Sequence, residues 1–216
     1  MQLKKNSGIT IIILIFLLAA GCARIPVREE AKVDLSLPVG KIEGNQFIGI
    51  RYPFTVSVPA NWEVTTKYPE FMLEFGFDKE GLEESQVFIF NPATQSNLQI
   101  DFSPAGRYAK YSQKSIEWLT NAGGYSFKSE FEQDYGKDIP LEISRTEPYS
   151  LKGVPFAAKR YTTYTLKNVK REHGWIYAFA EPYQIFIIYI VVEKEGVDDR
   201  PAIKEILDSF EFTNQK

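Results

Sequence analysis

The stretch WIYAFAEPYQIFIIYIVV, residues 175–192, reads as two β-strands and the link between them. Trp175, Tyr177 and Phe179 alternate with smaller residues, the period of two that a pleated strand imposes. Residues 184–192 are apolar nearly throughout, which suits a central strand covered on both faces. That run is far shorter than the roughly 20 residues a membrane-spanning helix needs. The tight Glu181-Pro182-Tyr183 link makes the two strands an antiparallel hairpin.

Outward from this hairpin, residues 155–166 are rich in β-formers and give a third strand. Nearer the N-terminus, Phe54, Val56 and Val58 alternate with Thr55 and Ser57, a half-buried strand. Pro59 to Asn61 turns the chain, and residues 62–66 resume it. Residues 86–91 and 97–102 form another strand pair across Asn-Pro-Ala-Thr-Gln. Residues 67–85 give no clean period and read as a strand with an acidic loop at Asp78–Glu84. A helix is expected over 112–121, with Ile116, Trp118 and Leu119 on one side and Gly123 and Gly124 stopping it. A second helix follows Asp198 and Asp199, which favour its positive end, with Pro201 in the first turn. Ala202, Ile203, Ile206, Leu207 and Phe210 share one face of it. The pattern is α+β: an antiparallel sheet flanked by helices.

The first residues have a different logic. Lys4 and Lys5 precede an apolar run from Ile9 to Ala20, too short to cross a membrane alone and apolar all round. That layout, closed by small residues, is a secretory signal. Leu18, Ala19, Ala20, Gly21 and Cys22 resemble the lipobox of bacterial lipoproteins, with leucine one place earlier than is usual. The resemblance implies that residues 1–21 are removed and that the thiol and new amine of Cys22 carry acyl chains. Two or three such chains anchor stably where one gives marginal binding. Ala23, in place of the aspartate that retains lipoproteins in an inner membrane, implies the outer membrane, facing the periplasm. In a one-membrane bacterium, the site is the outer face of the plasma membrane. Residues 22–45 then read as a lipidated tether, with a short strand possible at Val33–Leu37, and residues 46–216 as the folded domain.

Charge and residue counts exclude several classes. Of the 25 basic residues, two leave with residues 1–21, so 23 remain against 28 acidic ones, a formal charge of −5. Nucleic-acid binding would want the opposite sign. Cys22 is the only cysteine, so no internal disulfide is possible. With one histidine, His173, and one cysteine, no His/Cys metal site can be assembled, and no cofactor motif occurs. No Gly-x-Ser-x-Gly elbow supplies a nucleophile, and His173 reads as an exposed residue at a hairpin tip. Lys167, Lys170 and Arg171 form a basic tip on an acidic protein, a candidate contact to anionic head groups or an acidic partner. The aromatics of the Trp175 strand either fill the core or line a ligand cleft.

Three dispersed elements resemble the PsbP-like family: a Pro-x-x-Trp turn at Pro59 and Trp62, a Gly-x-Pro element at Gly153 to Pro155, and Ile206-Leu-Asp-Ser-Phe210 before a short strand at 211–213. The resemblance implies an α-β-α sandwich, with Trp62 and Phe210 in the core, and a binding or assembly role rather than catalysis. The expected function is therefore a non-catalytic, membrane-anchored interaction module whose partner is an unidentified envelope protein or ligand. The alternative is a carrier that holds a small ligand or lipid in a cavity of the sandwich.

Overall fold

The computed structural model describes residues 31–75, 87–107, 109–194 and 196–213. The signal segment, Cys22 and the loop at Asp78–Glu84 lie outside the described residues.

Long apolar strands give the larger of two antiparallel sheets. It comprises β4 (Glu63–Thr65), β5 (Val87–Phe90), β6 (Asn97–Pro104), β7 (Glu142–Ile143), β8 (Glu147–Pro148), β9 (Phe156–Leu166), β10 (Val169–Ala180) and β11 (Tyr183–Val192). The spatial order is β4-β5-β6-β11-β10-β9-β7, with β8 also on β9. As its unbroken apolar run requires, β11 is central: Trp175 of β10 lies opposite Ile188 on one side, and Ile100 of β6 opposite Ile187 on the other. The expected hairpin turns through Glu181-Pro182, joined by a cis peptide bond.

The expected strands at 54–58 and 211–213 belong to a second, smaller sheet, whose other two strands were not legible in the sequence. Its strands are β1 (Gly40–Glu43), β2 (Gln46–Gly49), β3 (Phe54–Ser57) and β12 (Glu211–Phe212), in the order β1-β2-β3-β12. Paired backbone thus reaches back to Gly40, inside the segment read as tether. Val33–Leu37 is not a strand: Asp34 accepts hydrogen bonds from the backbone N–H and hydroxyl of Ser36 and turns the chain there.

Helix α1 (Gln113–Tyr135) covers one face of the large sheet. The small sheet and α2 (Arg200–Ser209) cover the other. The main core lies on this second side, where Phe54 meets Phe102 at 4.9 Å and Phe210 at 5.7 Å between ring centroids. Ile203, Ile206 and Leu207 of α2 are buried there, as their spacing predicts.

Helix α1 departs from its sequence pattern in two ways. The helix does not stop at Gly123 and Gly124 but runs to Tyr135, where Gly136 takes φ 84°. Glycines inside a helix cost roughly 0.5–1 kcal/mol each, and packing offsets that cost here. A Cβ on Gly124 would stand 2.8 Å from Arg160 Nη1, and one on Gly123 3.1 Å from Trp175 Nε1. The bare backbone lets the helix settle onto the sheet, and Trp175 Nε1 donates to the carbonyl of Thr120 at 2.8 Å. Trp118, expected on the buried side, is 68% exposed, while Ile116 and Thr120 face the sheet. A capping box fixes the start: Ser115 N–H donates to Ser112 Oγ at 3.2 Å, and Ser112 N–H to Ser115 Oγ at 2.8 Å.

Candidate functional site

Strand alternation sorts the side chains of β9–β11 onto two faces. Arg160, Trp175, Tyr177 and Phe179 turn toward α1, and the Trp175 row is core rather than cleft: Trp175 and Phe179 are buried, and Phe179 stacks on Tyr111 at 4.1 Å. His173 belongs to this row. It lies within β10, five residues beyond the tip at Lys167 and Asn168, with its ring 4.6 Å from that of Phe127. The exposed loop histidine is therefore corrected to a partly buried strand residue.

Burial holds the His173 imidazole down to about 4 from an ordinary 6.5. The folded chain favours the neutral ring, so this stability is present above pH 6.5 and is lost as pH falls through the folded value. At about 1.4 kcal/mol per unit, and with the ring only partly buried, the expected loss is about 2–3 kcal/mol. Urea unfolding near pH 7 and near pH 4 measures it, and His173→Gln should remove that share of the acid sensitivity. Equal pH dependence in both proteins would contradict the assignment.

The three cations of the expected basic tip do not form one cluster. Lys170 and Arg171 are neighbours on a strand and so point to opposite faces. Lys170 Nζ pairs with Glu193 at 3.4 Å, on the α2 side. Arg171 stands opposite Tyr164, and its charge acts against the burial that pushes the Tyr164 phenol up to about 12. Lys167 is at the exposed tip. A head-group contact, if made at this tip, rests on Lys167 and Lys170.

The opposite face of the same strands carries a feature that the sequence reading missed. Lys159, Tyr161, Glu172, Tyr189 and Val191 share this face with α2, whose Arg200, Ile203, Lys204 and Leu207 close an open cleft of about 310 Å³. Gly174 makes room for its floor: a Cβ there would stand 2.1 Å from Tyr189 Cζ. The Tyr189 hydroxyl donates to Glu172 Oε1 at 2.9 Å, and Arg200 Nε donates to Glu172 Oε2 at 2.9 Å. Arg200 also binds Glu193 at 2.8 Å and Asp198 at 2.9 Å, so its fork is fully engaged. Burial first, then the charge of Glu172, pushes the Tyr189 phenol well above the ordinary tyrosine range.

Lys159 is placed differently. Its amine sits 4.9 Å from the centre of the Tyr189 ring and 5.5 Å from that of Tyr149. No carboxylate among the described residues pairs with it at contact distance. Burial lowers its pKa, while the more distant charges of Glu172 and Glu147 act the other way. The signal for this site was the alternation of Lys159 and Tyr161 with Tyr189 across the hairpin, which singles out no chemistry until α2 is placed over it.

Asp198 and Asp199, read as helix-favouring acids, divide the work. Asp198 accepts from the backbone N–H of Arg200 at 3.1 Å. Asp199 is buried and instead accepts from Thr94 Oγ1 at 2.5 Å and Asn91 Nδ2 at 3.2 Å, tying the β5–β6 turn to α2. Among the described residues, no group of three or more His, Cys, Asp or Glu could hold a metal ion. No described helix is long and apolar enough to cross a membrane.

No family model matches the chain, and no curated protein does. The chain is similar to the solution structure of cyanobacterial PsbP from Synechocystis, at 12% identity and a TM-score of 0.48, over 85% of this chain and 98% of that one. It is also similar to a crystal structure from Bacteroides thetaiotaomicron, at 13% identity and a TM-score of 0.45, over 81% of this chain. It spans half the length of that second protein.

Proposed function

We propose that this chain is a lipid-anchored, non-catalytic binding module of the bacterial envelope, held by acyl chains on Cys22. Its place is the outer membrane facing the periplasm, or the outer face of the plasma membrane where there is only one. The observation that carries the reading is the Leu18-Ala-Ala-Gly-Cys22 pattern directly after a short apolar run. Val33 already packs against the main core, so the link from Cys22 to the domain spans at most roughly 40 Å when extended, and the domain works close to one surface. The cleft chemistry agrees with binding: its carboxylate, Glu172, is held between Tyr189 and Arg200, which fixes it in place rather than leaving it available as a base.

Mass spectrometry of the membrane-extracted N-terminal peptide is expected to give a peptide starting at Cys22 and carrying acyl chains. Cys22→Ala should leave a precursor that keeps its signal segment. An unmodified thiol, or a start upstream of Cys22, would overturn the proposal. The carrier reading is favoured by one observation, the cleft between α2 and the large sheet, and both readings share a binding function.

A further inference from the structure

We propose that the cleft under α2 binds a small organic anion, a carboxylate on a flat apolar body, with Lys159 as its charge partner. The proposal rests on the cleft, not on the lipid anchor, and names a ligand class for the binding function proposed above.

Each other charge lining this cleft is already engaged. The two oxygens of Glu172 are taken by Tyr189 and Arg200, the Arg200 fork by three carboxylates, and Lys204 by Asp208. Lys159 alone presents a cation over aromatic faces with no carboxylate in contact among the described residues. Holding an amine partly out of water with carboxylates only at a distance costs stability, and an arriving anion in contact offsets part of that cost. Attraction over aromatic rings is weaker than a contact ion pair, so the site has more to gain from an anion than from a neutral molecule.

The rest of the cleft fits an apolar body. Tyr149 and Tyr161 line it, and Val191, Ile203 and Leu207, each 2% exposed or less, back it with aliphatic side chains. A volume of about 310 Å³ falls at the small end of known ligand pockets, which suits a compact occupant.

The test titrates the full chain in detergent micelles with 2-naphthoate, with 2-naphthamide as its uncharged match and inorganic phosphate as the bare anion; empty micelles are the blank. Naphthoate should bind saturably, about tenfold or more tighter than naphthamide. Lys159→Met, which keeps the stem and removes the charge, should bring naphthoate down to the naphthamide level and leave naphthamide binding unchanged. Because the variant relieves a desolvated charge, its melting temperature should equal or exceed that of the parent, so lost binding cannot be blamed on unfolding. Equal affinity for the two naphthyl compounds, phosphate binding as tight as naphthoate, undiminished naphthoate binding by Lys159→Met, or no saturable binding at all would each overturn the proposal. None of these outcomes bears on the acylation of Cys22, which is read by mass.

Discussion

Phe210→Ala is expected to lower the melting temperature by roughly 10 °C. Phe210 is 1% exposed and stacks on Phe54, which also packs on Phe47 and Phe102. Truncating a buried phenylalanine usually costs about 3–5 kcal/mol, the lost transfer energy plus the cavity left behind. For a domain of this size each kcal/mol shifts the midpoint by roughly 2–4 °C. Collapse into the cavity is hindered on both sides. The backbone of β3 is fixed by pairing with β2 and β12, and α2 is tied to it by a bond from Ser57 N–H to Ser209 Oγ at 2.9 Å. Phe210→Leu keeps most of the volume and should cost about 1 kcal/mol. Calorimetry of the three proteins checks the order, and a shift under about 2 °C for the alanine variant would contradict the core assignment.

Gly153→Ala is expected to be at least as damaging, for a backbone reason. Gly153 has φ 77°, in the left-handed region, and its missing Cβ would fall 2.0 Å from the carbonyl oxygen of Phe212. The conformation alone costs an ordinary residue roughly 1–2 kcal/mol. The contact adds more, because the obstacle is backbone and cannot rotate away. Relief requires moving β12, whose Phe212 N–H donates to the Lys152 carbonyl at 2.9 Å. We expect a loss of about 3 kcal/mol or more, together with fast hydrogen exchange at the Phe212 amide. Full protection of that amide in a folded Gly153→Ala protein would refute the account.

That glycine opens the Gly-x-Pro element noted in the sequence, and its role shows what patterning can and cannot reveal. Alternation placed β3 and β10, β-former content placed β9, and a nearly unbroken apolar run placed β11, because each strand carries its own local signal. The closing helix was legible for the same reason at period 3.6. Gly123 and Gly124 misled because helix-stopping by glycine is a local preference, whereas their packing on Trp175 and Arg160 is a long-range one. The rest of α1 did carry a signal, Phe127, Phe131 and Tyr135 at spacings of four, which pack with Tyr164 against the sheet. Two strands of the small sheet, β3 and the strand at 211–213, were legible, but β1 and β2 were not, and the pairing of β3 with β12 was hidden because the two lie far apart in the chain. The cleft was hidden more deeply. Lys159 is one lysine among many until β11 supplies Tyr189 and α2 forms the other wall.

The distance between β3 and its closing strand also sets a timetable for the nascent chain. Ser57 and Ser209, bonded in the finished domain, are 152 positions apart. At about 5–20 residues per second of synthesis, Phe54 and the outer edge of β3 wait roughly 8–30 s for Phe210 and β12 to exist. Such non-local closure makes folding slow, so the newborn chain spends that interval with an open strand edge and an uncovered aromatic face. A holding chaperone would have to shield that surface until the final helix is made. Export through a narrow pore, by contrast, is helped by a delay that keeps the chain unfolded until it has crossed.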